Sequence, residues 1–334
     1  MQERDASMST GIAPVFMFGF ERSGTTLLTM MVGAHPEIAV PFSVTGLWYR
    51  YARQVESGQP ALVNGGIEAL IDRIVAEERI QLWDTRLSRD DVLAVLAGTT
   101  FADVVRAFHL AYAAKCGKPY WANMDIGTLD HMDVPNRWFP DAKFIHIVRD
   151  GRDVALSNQT MPYGPGNLSE VAVAWERRLF LNLNMAAMID PARYLVIRYE
   201  DLILRAEATL QQLCAFIGVA YAPAMLTYPD QVDGRVPSEK RWLWPALASA
   251  PDASKVGQWK AQMSRTERDL FENLAGTMLE RLGYETLGIR RGGLSVHALE
   301  LCHFLDRGHR LKRFGAKLGI RRLTKLERAA RHGG

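Results

Sequence analysis

The segment Gly19-Phe-Glu-Arg-Ser-Gly-Thr-Thr26 constrains this chain more than any other. An apolar run, Val15 to Phe18, leads into it, and Thr26-Leu-Leu-Thr-Met-Met-Val32 leaves it, so the pattern predicts a buried strand, a tight loop and a helix ending near Gly33. The glycine spacing is that of a phosphate-cradling loop, G-x-x-x-x-G-K-[ST], in which backbone N–H groups and a helix N-terminus hold the anion. Thr25 stands where the lysine should be. That lysine serves the β- and γ-phosphates of a nucleoside triphosphate, beside a hydroxyl that holds Mg²⁺. With the lysine gone and no evident Walker-B aspartate, the segment speaks against Mg-ATP. The cation has moved to Arg22, which with Ser23, Gly24, Thr25 and Thr26 suits a smaller anion that needs no metal. Taken alone, the loop also reads as a simple βα turn.

Further strands are predicted at Phe144–Val148 and Tyr194–Arg198, both short, apolar and β-branched. Helices are predicted from Ile67, from Ser88, over Phe101 to Lys115 with Thr99 or Thr100 as cap, and over Ser169 to Ile189. Ser264-Arg-Thr-Glu267 is a capping box that opens a last helix ending at Gly283. Strands alternating with helices predict an α/β chain: a three-layer P-loop-like fold with a central parallel sheet flanked by helices.

A second segment, Phe144-Ile-His-Ile-Val-Arg-Asp-Gly-Arg-Asp-Val-Ala-Leu-Ser157, places Arg149 at a strand's carboxyl end and Ser157 on the following helix. Ligands of open α/β sheets bind at such ends, and the two side chains can converge on one phosphate. The competing reading is a local ion-pair cluster of Arg149, Asp150, Arg152 and Asp153.

Together the two segments resemble the sulfotransferases that use 3′-phosphoadenosine 5′-phosphosulfate (PAPS), nearest the branch of tyrosylprotein and bacterial carbohydrate sulfotransferases. The resemblance spans roughly residues 14 to 287 and includes Arg198-Tyr-Glu-Asp-Leu202 and Lys255-Val-Gly-Gln-Trp259. It implies that residues 22–28 hold the 5′-phosphosulfate, that Arg149, Ser157 and Lys255 hold the 3′-phosphate, and that Tyr199 lies near the adenine. Arg22 would then stabilise the leaving bridging oxygen, without a metal. Trp259 is expected to pack. A protein that only binds PAPS or its product PAP, and a small-molecule kinase with a degenerate loop, are the rival readings.

The chain departs from its relatives in two places. The window Val40 to Gly46 lacks the carboxylate that follows His-Pro in that branch, and Trp121-Ala-Asn-Met-Asp125 lacks a strand-end lysine. Asp125 is therefore the leading candidate base, ahead of Asp130 and His131, with a turn cap as its structural alternative. His35 is expected to satisfy local backbone. The aromatic stretch Phe42-Ser-Val-Thr-Gly-Leu-Trp-Tyr-Arg-Tyr51 suits either an acceptor cleft or the core.

Of 334 residues, those from Arg290 on carry 12 Lys and Arg against 3 Asp and Glu, while the remainder carries 28 against 34. We therefore divide the chain into a sulfotransferase domain, 1–289, and a basic helical extension, 290–334. Leu311, Phe314 and Leu318 share a face amid that charge, which suits peripheral contact with an anionic membrane. No interleaved aromatics point to nucleic acid. The expected acceptor is a hydroxyl of a carbohydrate, glycolipid or small molecule. The acidic N-terminus lacks a signal-like apolar core, and the three cysteines are scattered, so the expected place is the cytoplasm or the inner membrane surface.

Overall fold

The computed structural model describes residues 12–42, 46–56, 65–159, 167–236 and 245–287. The basic extension predicted from residue 290 on lies outside them, as do residues 43–45 of the aromatic segment.

Among the described residues, five parallel strands form one sheet: β1 (Val15–Gly19), β2 (Ile38–Ala39), β3 (Tyr120–Met124), β4 (Lys143–Val148) and β5 (Tyr194–Arg198), in the order β2-β3-β1-β4-β5. The longer helices are α1 (Thr25–Gly33), α2 (Leu47–Glu56), α3 (Gly66–Val75), α4 (Phe101–Lys115), α5 (Gly151–Gln159), α6 (Leu168–Ala186), α7 (Ala206–Ile217) and α8 (Arg265–Arg281). β1 is buried along its whole length, as is β4 beyond Lys143, because a parallel sheet covered on both faces has no solvent side. Gly19 ends β1 hard against β4: a Cβ there would lie 2.4 Å from the Ile147 carbonyl oxygen.

The three strands predicted from apolar runs are present, and the predicted cap of α4 is Thr100, in a capping box with Asp103. Ser264 and Glu267 form the predicted box at α8. The helix expected from Ser88 begins there, with Ser88 as its N-cap, but lasts only for Arg89–Leu93.

Backbone contacts divide the chain into two units: residues up to 149 with 178–258, and 150–177 with those from 259 on. The first holds the sheet. In the second, the buried Arg152 guanidinium pairs with Asp150 at 2.8 Å and Glu272 at 2.6 Å and lies 3.5 Å over the Trp259 ring. Trp259 packs, as expected.

The connection from β1 leads to β2 on one side, and that from β4 to β5 on the other, while β1 and β4 are neighbours. The chain therefore parts at the carboxyl ends of β1 and β4, the position at which open α/β sheets bind ligands.

Candidate active site

The loop between β1 and α1 turns tightly, with the Ser23 N–H donating to the Phe20 carbonyl at 3.1 Å. Arg22 has φ 69°, the one non-glycine residue in the left-handed region among the described residues. Gly24 follows at φ 95° as the N-cap of α1. Among the described residues no side chain caps α1, and its first turn holds no acidic residue. The amides and dipole at this helix start are thus available to an anion. Thr25 and Thr26 sit half-buried in that first turn, and Ser23 is buried beneath it.

Arg149, at the end of β4, is buried and reaches this loop. Its Nη1 donates to the Arg22 carbonyl at 3.1 Å and its Nη2 to the Lys255 carbonyl at 2.9 Å. Its guanidinium lies 4.3 Å from the centroid of the Tyr199 ring. Tyr199 in turn packs on the loop: a Cβ at Gly24 would lie 2.5 Å from its Cδ2. Arg22, Gly24, Arg149, Tyr199 and the Lys255 backbone are thus one contiguous group, with the Lys255 side chain exposed. The ion-pair alternative for the second segment holds for Asp150 and Arg152, and Asp153 accepts from the Trp259 N–H at 2.9 Å. Ser157 lies on α5 in the second unit.

Asp125 follows β3 immediately, its N–H donating to the Met17 carbonyl of β1 at 3.1 Å. Its side chain is fully buried. Oδ1 accepts from the Gly46 N–H at 2.7 Å and the Gly127 N–H at 2.9 Å, and Oδ2 is buried without a hydrogen-bond partner among the described residues. Burial pushes the carboxyl up to about 7, against the pull of the two amides. The turn-cap alternative is therefore part of the answer, because Asp125 does hold its own turn.

The other candidate bases are engaged. Asp130 pairs with Arg178 at 2.9 Å, and His131 Nε2 accepts from Arg53 at 3.0 Å while its ring lies against Tyr49. Burial, then Arg53, keep the His131 imidazole below its ordinary range. His35 serves the backbone as expected: Nδ1 accepts from the Glu37 N–H, and Nε2 is 2.8 Å from the Ala220 carbonyl. Trp48, Tyr49 and Tyr51 are buried core side chains, and Arg50 pairs with Glu77, which corrects the acceptor-cleft reading of that stretch.

Sequence reasoning missed Arg178 on α6. It pairs with Glu21 of the loop at 2.6 Å as well as with Asp130, and it lies 5.1 Å over Phe20. Nothing local marks one arginine of a long amphipathic helix as a loop contact; only Glu21, a carboxylate inside an anion loop, hinted that a cation had to be near.

The sulfotransferase family model matches residues 14–223. The chain belongs to the sulfotransferase family. This sulfotransferase is similar to protein-tyrosine sulfotransferase 2 of Gallus gallus, 24% identical over 286 residues that cover 81% of this chain and 69% of the relative. It is similar as well to protein-tyrosine sulfotransferase 1 of Danio rerio, 26% identical over 285 residues, 81% and 72% of the two chains. The solved sulfotransferase domain of the Synechococcus PCC 7002 olefin synthase shares the fold at 21% identity, with a TM-score of 0.55 over 85% of this chain and 99% of that one. The protein is accordingly a sulfotransferase, and PAPS is the donor its family uses.

The cytoplasmic placement is corrected by the same relatives, since protein-tyrosine sulfotransferases are Golgi membrane enzymes. The error came from reading a compartment off an N-terminus that lacks a signal-like run. No described helix is long and apolar enough to cross a membrane.

Proposed function

We propose that the protein transfers the sulfuryl group of PAPS to a phenolic hydroxyl, releasing PAP, without a metal ion. The single observation that carries this reading is the bond from Arg149 to the Arg22 carbonyl, which joins the two segments that the donor's two ends require. PAPS supplies an activated sulfuryl group on a 5′-phosphate. The uncapped start of α1, with Thr25, Thr26 and the loop amides, fits that phosphate. Arg22 would neutralise charge on the bridging oxygen as PAP leaves, and such a loose transfer gains most from positioning and electrostatics. Arg149 and the Lys255 side chain would hold the 3′-phosphate; for Ser157 the sequence resemblance alone supports a share in it.

The relatives' names support a phenolic acceptor, and the candidate base fits one. A carboxylate of pKa about 7, as at Asp125, lies about 3 units below a phenol and much farther below a sugar alcohol, so proton transfer from a phenol is the lesser climb. The relatives' names, which give protein tyrosine, agree with this and not with the carbohydrate or glycolipid first expected. Burial favours a second reading of Asp125, in which its two amide bonds hold the turns at Gly46 and Gly127 and the acceptor's proton goes elsewhere.

The test is label transfer from radiolabelled PAPS, with EDTA present, to a tyrosyl peptide, a small phenol and a panel of sugars. Transfer to the phenols is expected. PAP binding without transfer to any acceptor would leave a non-catalytic nucleotide binder, and stabilisation by Mg-ATP instead of PAP would indicate a kinase.

A further inference from the structure

We propose that Arg149 is a positioning residue that locks the anion loop in its left-handed form and so couples the 3′ end of the donor to the geometry at its sulfuryl end. The coupling rests on the donor reading above, whereas the lock is a property of the chain alone.

The loop turns on Arg22, whose φ of 69° is one that residues with a Cβ avoid unless their surroundings hold them there. Its carbonyl meets Arg149 Nη1 at 3.1 Å. The same guanidinium grips the loop a second time through Tyr199, whose ring lies beneath it and against Gly24. Its third hold is the Lys255 carbonyl, 2.9 Å from Nη2. Arg149 therefore bonds the residue before Ser23 directly, clamps the residue after it through an aromatic ring, and ties both to a separate segment of chain.

Only a planar fork can do this. A guanidinium carries five N–H donors in one plane, more than two carbonyls can occupy, and it can stack on a ring at the same time. A phosphate bonded to that fork would stiffen it where it stands. The loop would then be held more firmly when the 3′-phosphate is present, and the 3′-phosphate would assist the transfer as well as the binding. A lysine keeps the positive charge but has neither the plane nor the second reach. Arg149→Lys thus separates phosphate attraction from loop clamping.

Amide hydrogen exchange, read on peptides covering residues 19–27 in the full-length wild type and Arg149→Lys, tests the lock without nucleotide. Loop amides should exchange about tenfold or more faster in the variant, with β4 and β5 peptides unchanged. Tyr199→Leu, which removes the ring and leaves Arg149, should show the same acceleration and serves if Arg149→Lys does not fold. In wild type, PAP should protect the loop more than adenosine 5′-phosphate does, and this increment should vanish in Arg149→Lys. With PAPS and a small phenol, kcat should fall about tenfold or more while KM for PAPS moves less than about threefold. Equal loop exchange in wild type and variants overturns the lock. A risen KM with kcat intact overturns the coupling and leaves Arg149 a phosphate ligand. A wild type that PAP does not protect, with the loop still faster in the variants, counts against the donor reading and leaves the lock standing.

Discussion

Asp125 is pulled two ways, by burial that disfavours its charge and by two amides that favour it, and burial wins. Its folded pKa of about 7 lies above the unfolded value of about 3.9, so the folded chain holds a proton that the unfolded chain has lost between those values. Stability from this group is complete below about pH 4, falls as pH rises, and is gone above about pH 7, a swing of roughly 4 kcal/mol at most. Asp125→Asn should flatten this slope in urea titrations from pH 4.5 to 8. If Asp125 accepts the acceptor's proton, activity should rise through about pH 7, and Asp125→Asn should lose about 100-fold or more of kcat with that limb. A variant that keeps the limb and most of its activity would leave Asp125 its turn-holding role. Gly24 makes a second residue-scale case, since alanine there meets both φ 95° and the Tyr199 ring. Gly24→Ala should weaken PAP binding, measured by calorimetry, by at least about 1.4 kcal/mol, a factor of ten. Arg22 and Gly24 were legible because an anion loop fixes residue types at fixed offsets, and Arg149 because it closes an apolar strand. That Tyr199 underlies the loop was not, because the contact joins residues 175 positions apart in the chain.

Elements were legible where the signal is local. β1, β4 and β5 stand out as apolar runs, and the starts of α4 and α8 announce themselves through Thr100 with Asp103 and Ser264 with Glu267. β2 and β3 were not read as strands from pattern. β2 is two residues long and exists through its pairing with β3, while β3 interrupts its apolar residues with Asn123, which faces the buried His109 of α4. Caps are also where a single helix can be probed without touching the site. Ser264→Ala removes the acceptor of the Glu267 N–H and the hydroxyl that bonds the Glu267 carboxylate, so α8 should lose about 1 kcal/mol, seen as a lower urea midpoint with PAP affinity unchanged.

At the scale of the whole molecule, the residues proposed to hold PAPS, other than Ser157, fall in the unit that carries the sheet, and the buried Arg152 network falls in the other. Each unit therefore has its own handle. Glu272→Ala would take from Arg152 its 2.6 Å carboxylate partner, and breaking a buried pair in this way costs about 3–5 kcal/mol. Ligand stabilisation acts on the first unit instead, because whatever binds the folded form and not the unfolded one stabilises it by mass action. At a PAP concentration of 100 times its dissociation constant this amounts to about 2.7 kcal/mol. A thermal melt of the full chain in EDTA should show that stabilisation with PAP and lack it with ATP. Arg149→Ala should cut it to about 1.4 kcal/mol or less at the same PAP concentration, since losing a charged hydrogen bond of about 1.5–3 kcal/mol weakens binding by at least tenfold. A PAP shift of full size in Arg149→Ala would remove Arg149 from the donor site, and a shift that appears only with added Mg²⁺ would overturn the metal-free reading of the loop.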